Sequence, residues 1–289
     1  MLIYYYLHQK KMKIKKWLFY ANIILKKNKI YLSKIESEIL LSFVLNKSKF
    51  WIYEFYENYL NITQLKKLMQ LLKRRINGEP IAYILGYCEF WSLKINVSSL
   101  TFIPRPDTEI LVEHTLTKIK FNTKNILDLG TGTGAIALAI ASECNKLNVI
   151  GIDIVPELIN IAKKNANKLS IHNVNFIQSN WFSNLKHQKF DIIVSNPPYI
   201  KYKDYLFLEK SIKFEPIYSL IAEDNGLSNF NSIILQSTKY LNKFGWIILE
   251  HGFNQSNQIM KILQEKKYKN IKTCLDYNGN KRVTYGQKI

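Results

Sequence analysis

The sequence predicts an α/β protein: seven mostly parallel strands closing in a C-terminal antiparallel hairpin, preceded by a small helical bundle and a β-hairpin linker. Three observations predict it. Beyond Lys124, short runs apolar on both faces alternate with helical patterns, as in a parallel sheet covered on both sides. The last two β-like runs, NIKTCLDY and KRVTYGQK, are separated by only a short turn and must therefore pair antiparallel. The first 77 residues instead carry helical periodicity with no strand alternation.

In chain order, Met12 begins the first helical pattern, so residues 1–11 read as a frayed extension or an upstream start. Ile35, Ile39, Leu40 and Phe43 form one apolar stripe, and Leu65, Leu68, Met69 and Leu72 another; both read as core within a bundle of four helices. Ser33 and Glu36 are spaced as a capping box. Gly78 and Pro80 end this region, which sets a helical domain over residues 1–77. From Ile81 to Leu100 aromatic and β-branched residues punctuated by Gly86 read as a β-hairpin, within a linker over 78–106. Pro104 and Pro106 keep the next stretch extended until a helix starts near Asp107 and opens the domain over 107–289. There NILDLG, NVIGID, NVNFIQ, FDIIVS and GWIILEHG read as strands, with helices after the first, second and fifth. The stretch from Pro197 to Asp224 interrupts the rhythm before the helix SNFNSIILQSTKYL.

Composition narrows the function. With 47% apolar and 22% charged residues, wholesale disorder is excluded. The longest apolar stretches, such as Ala135 to Ala141, are far shorter than the ~18 to 20 residues of a membrane span, and the opening has no signal-peptide pattern. A cytoplasmic protein without membrane association is expected. Cys88, Cys144 and Cys274 lack disulfide or zinc spacing and are expected to be buried reduced thiols; no metal is expected. The net charge is +19, but of 41 basic residues only Arg74, Arg75, Arg105 and Arg282 are arginine, and the chain is also rich in Asn and Ile. Lysine dominance reads as a solvated coat rather than a surface built for phosphate. The charge is uneven: residues 1–75 carry 16 basic and 4 acidic side chains, net +12, so a basic module facing an acidic partner remains open.

Two motifs carry chemistry. Asp128-Leu129-Gly130-Thr131-Gly132-Thr133-Gly134 follows a strand and opens a helix, where glycines allow tight turning and close approach and free N–H groups face a ligand. Gly130, Gly132 and Ala135 also satisfy the dinucleotide pattern G-x-G-x-x-A, and Asp153 at the end of the second strand suits a ribose diol in either case. Pyrophosphate ligands and S-adenosylmethionine both remain open at this point. Asn196-Pro197-Pro198-Tyr199 decides between them. The prolines have fixed φ and no N–H, so the Asn196 amide oxygen and the Pro197 carbonyl are held as acceptors for a planar NH2 group, with Tyr199 to stack on it. The aromatic face favours positive charge passing from sulfonium to nitrogen.

These motifs, with I-P-R-P-D-T-E (Ile103 to Glu109), S-N-P-P-Y-I (Ser195 to Ile200) and G-E-P-I-A-Y-I-L-G (Gly78 to Gly86), resemble the HemK or PrmC type of release-factor glutamine methyltransferase over residues 12 to 289. N-P-P-Y alone is shared with adenine-N6 DNA methyltransferases, so the combination is what is specific. The resemblance implies a Rossmann-like methyltransferase sheet and an N-terminal substrate-recognition domain. It also implies transfer of a methyl group from S-adenosylmethionine to the glutamine N5 of the G-G-Q motif in peptide chain release factors. By the same likeness Gly130, Thr131, Gly132, Thr133, Gly134 and Asp153 hold S-adenosylmethionine, with Asp153 on the ribose hydroxyls. Trp181 flanks the adenine, and Asn196, Pro197, Pro198 and Tyr199 receive the glutamine, with Asn196 also bordering the cofactor. Where the family has S-D-W this chain has Ser179-Asn180-Trp181; Asn180 still accepts from an adenine amino group, more weakly, and reduced cofactor affinity is expected. No general base is needed, because the methylated amide nitrogen is acidic enough to lose its proton to water. Arg105 and Glu109 are expected to shape the substrate entrance or to form a structural ion pair, and His251 to be structural. Competing substrates are a ribosomal-protein glutamine or an amino group of DNA or RNA, and a non-catalytic RNA-binding module is a further class. The scarcity of arginine and the lack of a target-recognition insert speak against nucleic acid. A monomer with no stable nucleic-acid complex is expected.

Overall fold

The computed structural model describes residues 11–185 and 188–289. The expectation for residues 1–11 therefore falls, Lys11 apart, outside the described residues. The chain forms two compact units, Met1–Gly86 with Lys210–Phe214, and Tyr87–Glu209 with Glu215–Ile289.

In the first unit a two-residue strand β1 (Met12–Lys13) pairs antiparallel with β2 (Tyr59–Leu60), so Met12 precedes the first helix instead of starting it. The helices are α1 (Ile14–Lys27), α2 (Ser33–Leu45), α3 (Lys49–Glu54), α4 (Ile62–Ile76) and α5 (Ile81–Leu85). Trp17, Leu25, Leu40, Leu41, Leu65, Leu68 and Leu72 build its core. Two expectations fail here. Ile35 is 43% exposed, and α2 turns Glu36 inward instead, where its carboxylate meets Arg75 of α4 at 2.6 Å. With Glu36 so engaged there is no capping box at Ser33, whose hydroxyl donates to Asn22 Oδ1; the box forms at Asn61 and Gln64, at the start of α4. Ile81–Leu85 is a helical turn ended by Gly86 at φ +80°, because Pro80 supplies a fixed φ at the helix start. The hairpin expected from Ile81 is thus confined to β3 (Tyr87–Phe90) and β4 (Leu93–Asn96), in the second unit.

The second unit continues through α6 (Glu109–Leu116), β5 (Asn125–Leu129), α7 (Ala135–Glu143), β6 (Asn148–Asp153), α8 (Pro156–Leu169), β7 (Val174–Gln178) and β8 (Phe190–Ser195). It ends with α9 (Ser228–Tyr240), β9 (Leu241–Glu250), α10 (Ser256–Glu265), β10 (Lys269–Leu275) and β11 (Lys281–Gln287). Seven strands form one sheet in the order β10-β11-β9-β8-β5-β6-β7. All neighbours from β9 to β7 are parallel, and β11 is antiparallel to both β9 and β10. Strand residues alternate between two cores. Ile126, Val149, Val174, Ile192 and Val194 pack beneath α6, α7, α8 and the β3–β4 hairpin, while Leu127, Leu129, Ile150, Ile193 and Ile247 face α9 and α10. Residues Ala135 to Ala141 of α7 are all buried, which is why this helix reads as apolar all round. Among the described residues no helix is long and apolar enough to cross a membrane. Cys274 is buried, but Cys88 and Cys144 are only half-buried.

Candidate active site

Register puts the chemistry-bearing residues in one row. Leu129 of β5 stands opposite Ile152 of β6 and Ser195 of β8, and Ser195 opposite Leu249 of β9. The residues that follow, Gly130, Asp153, Asn196 and Glu250, therefore leave the carboxyl edge of the sheet at one level, where ligands of open α/β sheets bind. Ser195, fully buried, fastens two of these strand ends by donating its hydroxyl to the Leu129 carbonyl at 2.7 Å. A cleft of about 520 Å³ opens above the row.

The glycine-rich turn is internally braced. The Thr131 amide donates to the Ile152 carbonyl at 2.7 Å and its hydroxyl to Asp128 Oδ2 at 2.6 Å. Asp128 is wholly buried, and burial pushes its carboxyl up to about 7. Asp153 accepts from the Gly132 amide at 3.0 Å and from the Val155 amide at 3.1 Å. Burial raises its carboxyl, and the N–H groups of Val155 and Gly132 oppose that shift. Gly132 has φ +55°, and a Cβ placed there would meet nothing within 4 Å, so the backbone offers an open face to the cleft. Thr133 lines the same wall, and Trp181, itself at φ +46°, carries its ring over Gly130. The turn holding Trp181 is fixed by Ser179, whose hydroxyl donates to the Trp181 carbonyl at 2.7 Å; Asn180 is exposed and borders the cleft.

Opposite lie Asn196, Pro197, Pro198 and Tyr199. The Pro198 carbonyl accepts from Asn229 Nδ2 at 2.9 Å and the Tyr199 carbonyl from Gln255 Nε2 at 3.1 Å. Those two carbonyls are thereby each engaged once, and no hydrogen bond among the described residues uses the Pro197 carbonyl. Burial raises the Tyr199 phenol, helped by the nearby Glu250 charge, so the ring stays neutral. The structure thus gathers the sequence-predicted site residues around one cleft except Gly134, which at φ +83° packs against Phe176 and Ala162 at the start of α7 and does not line it.

Neighbouring candidates have other roles. Arg105 is paired with Glu215, not Glu109; Glu215, 3% exposed, also accepts the Ile103 amide at 3.0 Å, which secures the stretch bearing Phe102 and Pro104 along the cleft. Glu109 accepts the Trp91 amide at 2.7 Å. His251 is buried between the Gly252 carbonyl and the Thr284 hydroxyl, and burial lowers its imidazole to about 4, so it is a neutral structural residue. Sequence reasoning missed Glu250, Thr108 and Ser195. The signal for Glu250 in the sequence is a lone carboxylate closing the apolar run GWIILE, next to His251.

The C-terminal part of the chain, residues 120–288, matches the family described as a methyltransferase domain, and residues 16–86 match the PrmC N-terminal domain. A release factor glutamine methyltransferase of Buchnera aphidicola from Acyrthosiphon pisum is 48% identical over 96% of this chain and 99% of its own length. The chain belongs to the release factor glutamine methyltransferase family. Another protein of that name, from Aliivibrio fischeri, is 48% identical to this methyltransferase over 89% of the chain and 90% of its own. The fold of the methyltransferase is shared with a solved methyltransferase from Pyrococcus furiosus, at 17% identity and TM-score 0.52, over 68% of this chain and 89% of that one.

Proposed function

We propose that this methyltransferase transfers a methyl group from S-adenosylmethionine to the side-chain nitrogen N5 of the glutamine in the G-G-Q motif of peptide chain release factors. The observation that carries the reading is the acceptor pair at the sheet edge: Asn196 beside an unengaged Pro197 carbonyl, facing a glycine-rich turn across a single cleft. The residues present fit S-adenosylmethionine. Gly132 presents open backbone, Asp153 is an anchored carboxylate for a diol, and Trp181 gives an apolar face for a purine. When bound, S-adenosylmethionine supplies a methyl group on a positively charged sulfur, which departs as a neutral thioether.

The chain's own residues position and polarise the acceptor. Asn196 Oδ1 and the Pro197 carbonyl accept the two N–H groups of the glutamine amide, which turns the nitrogen lone pair out of conjugation and toward the methyl carbon. Gly132, Asp153 and Trp181 would hold S-adenosylmethionine, which would supply its methyl group to that nitrogen and keep the departing electron pair on sulfur. The extra proton then leaves the nitrogen for water, so no side chain has to act as base. Tyr199, kept neutral, offers its π face to the positive charge as it moves to nitrogen. Asn180, in place of the family's acidic residue, weakens the adenine contact. The test is transfer of labelled methyl from S-adenosylmethionine to purified release factor, ribosomal proteins or nucleic acid. Label in the release factor glutamine is the expected result, and label only in either alternative substrate refutes the reading.

A further inference from the structure

Because β8 and β9 run parallel with Ser195 opposite Leu249, Asn196 and Glu250 leave the sheet side by side. Glu250 is 2% exposed and does not line the cleft. Its carboxylate is reached by the side chains of Thr108 and Asn196, and Asn196 Nδ2 also donates to Thr108 Oγ1 at 3.2 Å. In its ionised form a carboxylate accepts only, so an amide turned toward it presents its NH2 and directs its oxygen the other way.

We propose that Glu250 is a positioning residue which, with Thr108, fixes the rotation of the Asn196 amide so that Oδ1 faces the cleft as acceptor for the substrate NH2. The two ends of an asparagine amide are nearly equal in size, so shape alone does not choose between them. The flipped amide would aim a donor at a donor, and the glutamine nitrogen would lose its acceptor. Glu250 also carries an unsatisfied buried oxygen. Its Oε2 has no hydrogen-bond partner among the described residues, a costly state for a buried carboxylate oxygen and one typical of functional sites. A negative charge beside the Asn196 NH2 also polarises that amide and strengthens its oxygen as an acceptor. The inference rests on the methyl transfer proposed above.

The test compares wild type with Glu250→Gln, Thr108→Val and Thr108→Ser in single-turnover methylation of release factor at saturating S-adenosylmethionine. Gln keeps the size of Glu but can present either end to Asn196. Glu250→Gln and Thr108→Val should each lower the rate by on the order of tenfold, the scale lost when a group that orients a ligand is removed. Cofactor affinity and the KM for release factor should be unchanged, and Thr108→Ser should restore most of the rate. A second measurement needs no acceptor: the Asn196 side-chain NH2 signal in 15N-asparagine-labelled protein, assigned by its loss in Asn196→Asp, should move in Glu250→Gln. Wild-type turnover in Glu250→Gln, or an unmoved NH2 signal, overturns the proposal. If wild type does not methylate release factor while the NH2 signal still moves, the substrate reading fails and the orientation stands. Should Glu250→Gln not fold, the pair Thr108→Val and Thr108→Ser decides, and equal rates in both overturn it.

Discussion

On the proposed reading Asn196 holds the substrate amide, so its removal should show in rate before affinity. Asn196→Ala should lower turnover on the order of 10²-fold, comparable to losing one preorganised hydrogen-bonding group at a reacting centre, with a smaller effect on cofactor binding. Asn196→Asp keeps an acceptor but adds a negative charge beside a sulfonium and loses the NH2 held by Thr108, so it should be impaired as well. Single-turnover rates at saturating cofactor check both, and wild-type rates would remove Asn196 from the chemistry. Glu250 makes a different prediction. Burial pushes its carboxyl up to about 7, with Arg282 of β11 opposing the shift and Asp107, before α6, adding to it; the Tyr199 phenol faces it from beyond β8. An acid raised on folding contributes stability that is complete below its unfolded pKa, about 4.5, and is lost as pH rises through about 7. His251, depressed to about 4, works oppositely: its share is complete above about 6.5 and is lost as pH falls. The difference between wild type and Glu250→Gln isolates the carboxylate. The variant should gain melting temperature at about pH 8 relative to about pH 5, and parallel melting curves against pH would contradict the assignment. Asn196 was legible because its motif is contiguous. Glu250 was not, because its meaning comes from the register of β9 on β8, which sequence does not display.

At the scale of elements, the turn from β5 into α7 carries the sharpest expectation. Gly132 sits at φ +55°, a region costly for β-branched residues, and its missing side chain leaves the cleft wall open. Gly132→Val should abolish S-adenosylmethionine binding while the sheet still forms; calorimetric titration with circular dichroism checks this, and unchanged affinity would count against the site. The strands of the sheet could be read because parallel strands buried on both faces are continuous apolar runs, and the closing hairpin because its turn is too short for a crossover. Two other elements depart from the sequence expectation, each for its own physical reason. Ser33 and Glu36 have capping-box spacing, but Arg75, 39 residues away, takes Glu36 inward, so a tertiary ion pair overrides a local motif. Ile81–Leu85 has strand-like composition, yet it makes one helical turn between Pro80 and Gly86, where backbone restriction outweighs side-chain preference.

For the whole molecule, charge is the property that a local reading describes least. Residues 1–75 carry net +12, and three of their four acids are already engaged, Glu36 with Arg75, Glu38 with Lys49 and Glu57 with Lys13 and Lys15. The four acids offset only part of the 16 basic side chains, and the net surplus favours encounter with an acidic protein surface. If it does, raising salt should slow methylation of intact release factor much more than that of a short G-G-Q peptide, since screening acts over ~8 to 10 Å at physiological strength. Equal losses for both substrates would refute a guiding role. The order of the sheet has a consequence for synthesis. β11, made after all the others, lies between β9 and β10. Until it emerges, β9 offers an unpaired edge over residues 246–250 with three buried apolar side chains, Ile247, Ile248 and Leu249, and β10 has no neighbour to join. A nascent chain paused before Lys281 thus carries an aggregation-prone border that the finished protein lacks, and chaperone dependence should peak at that length.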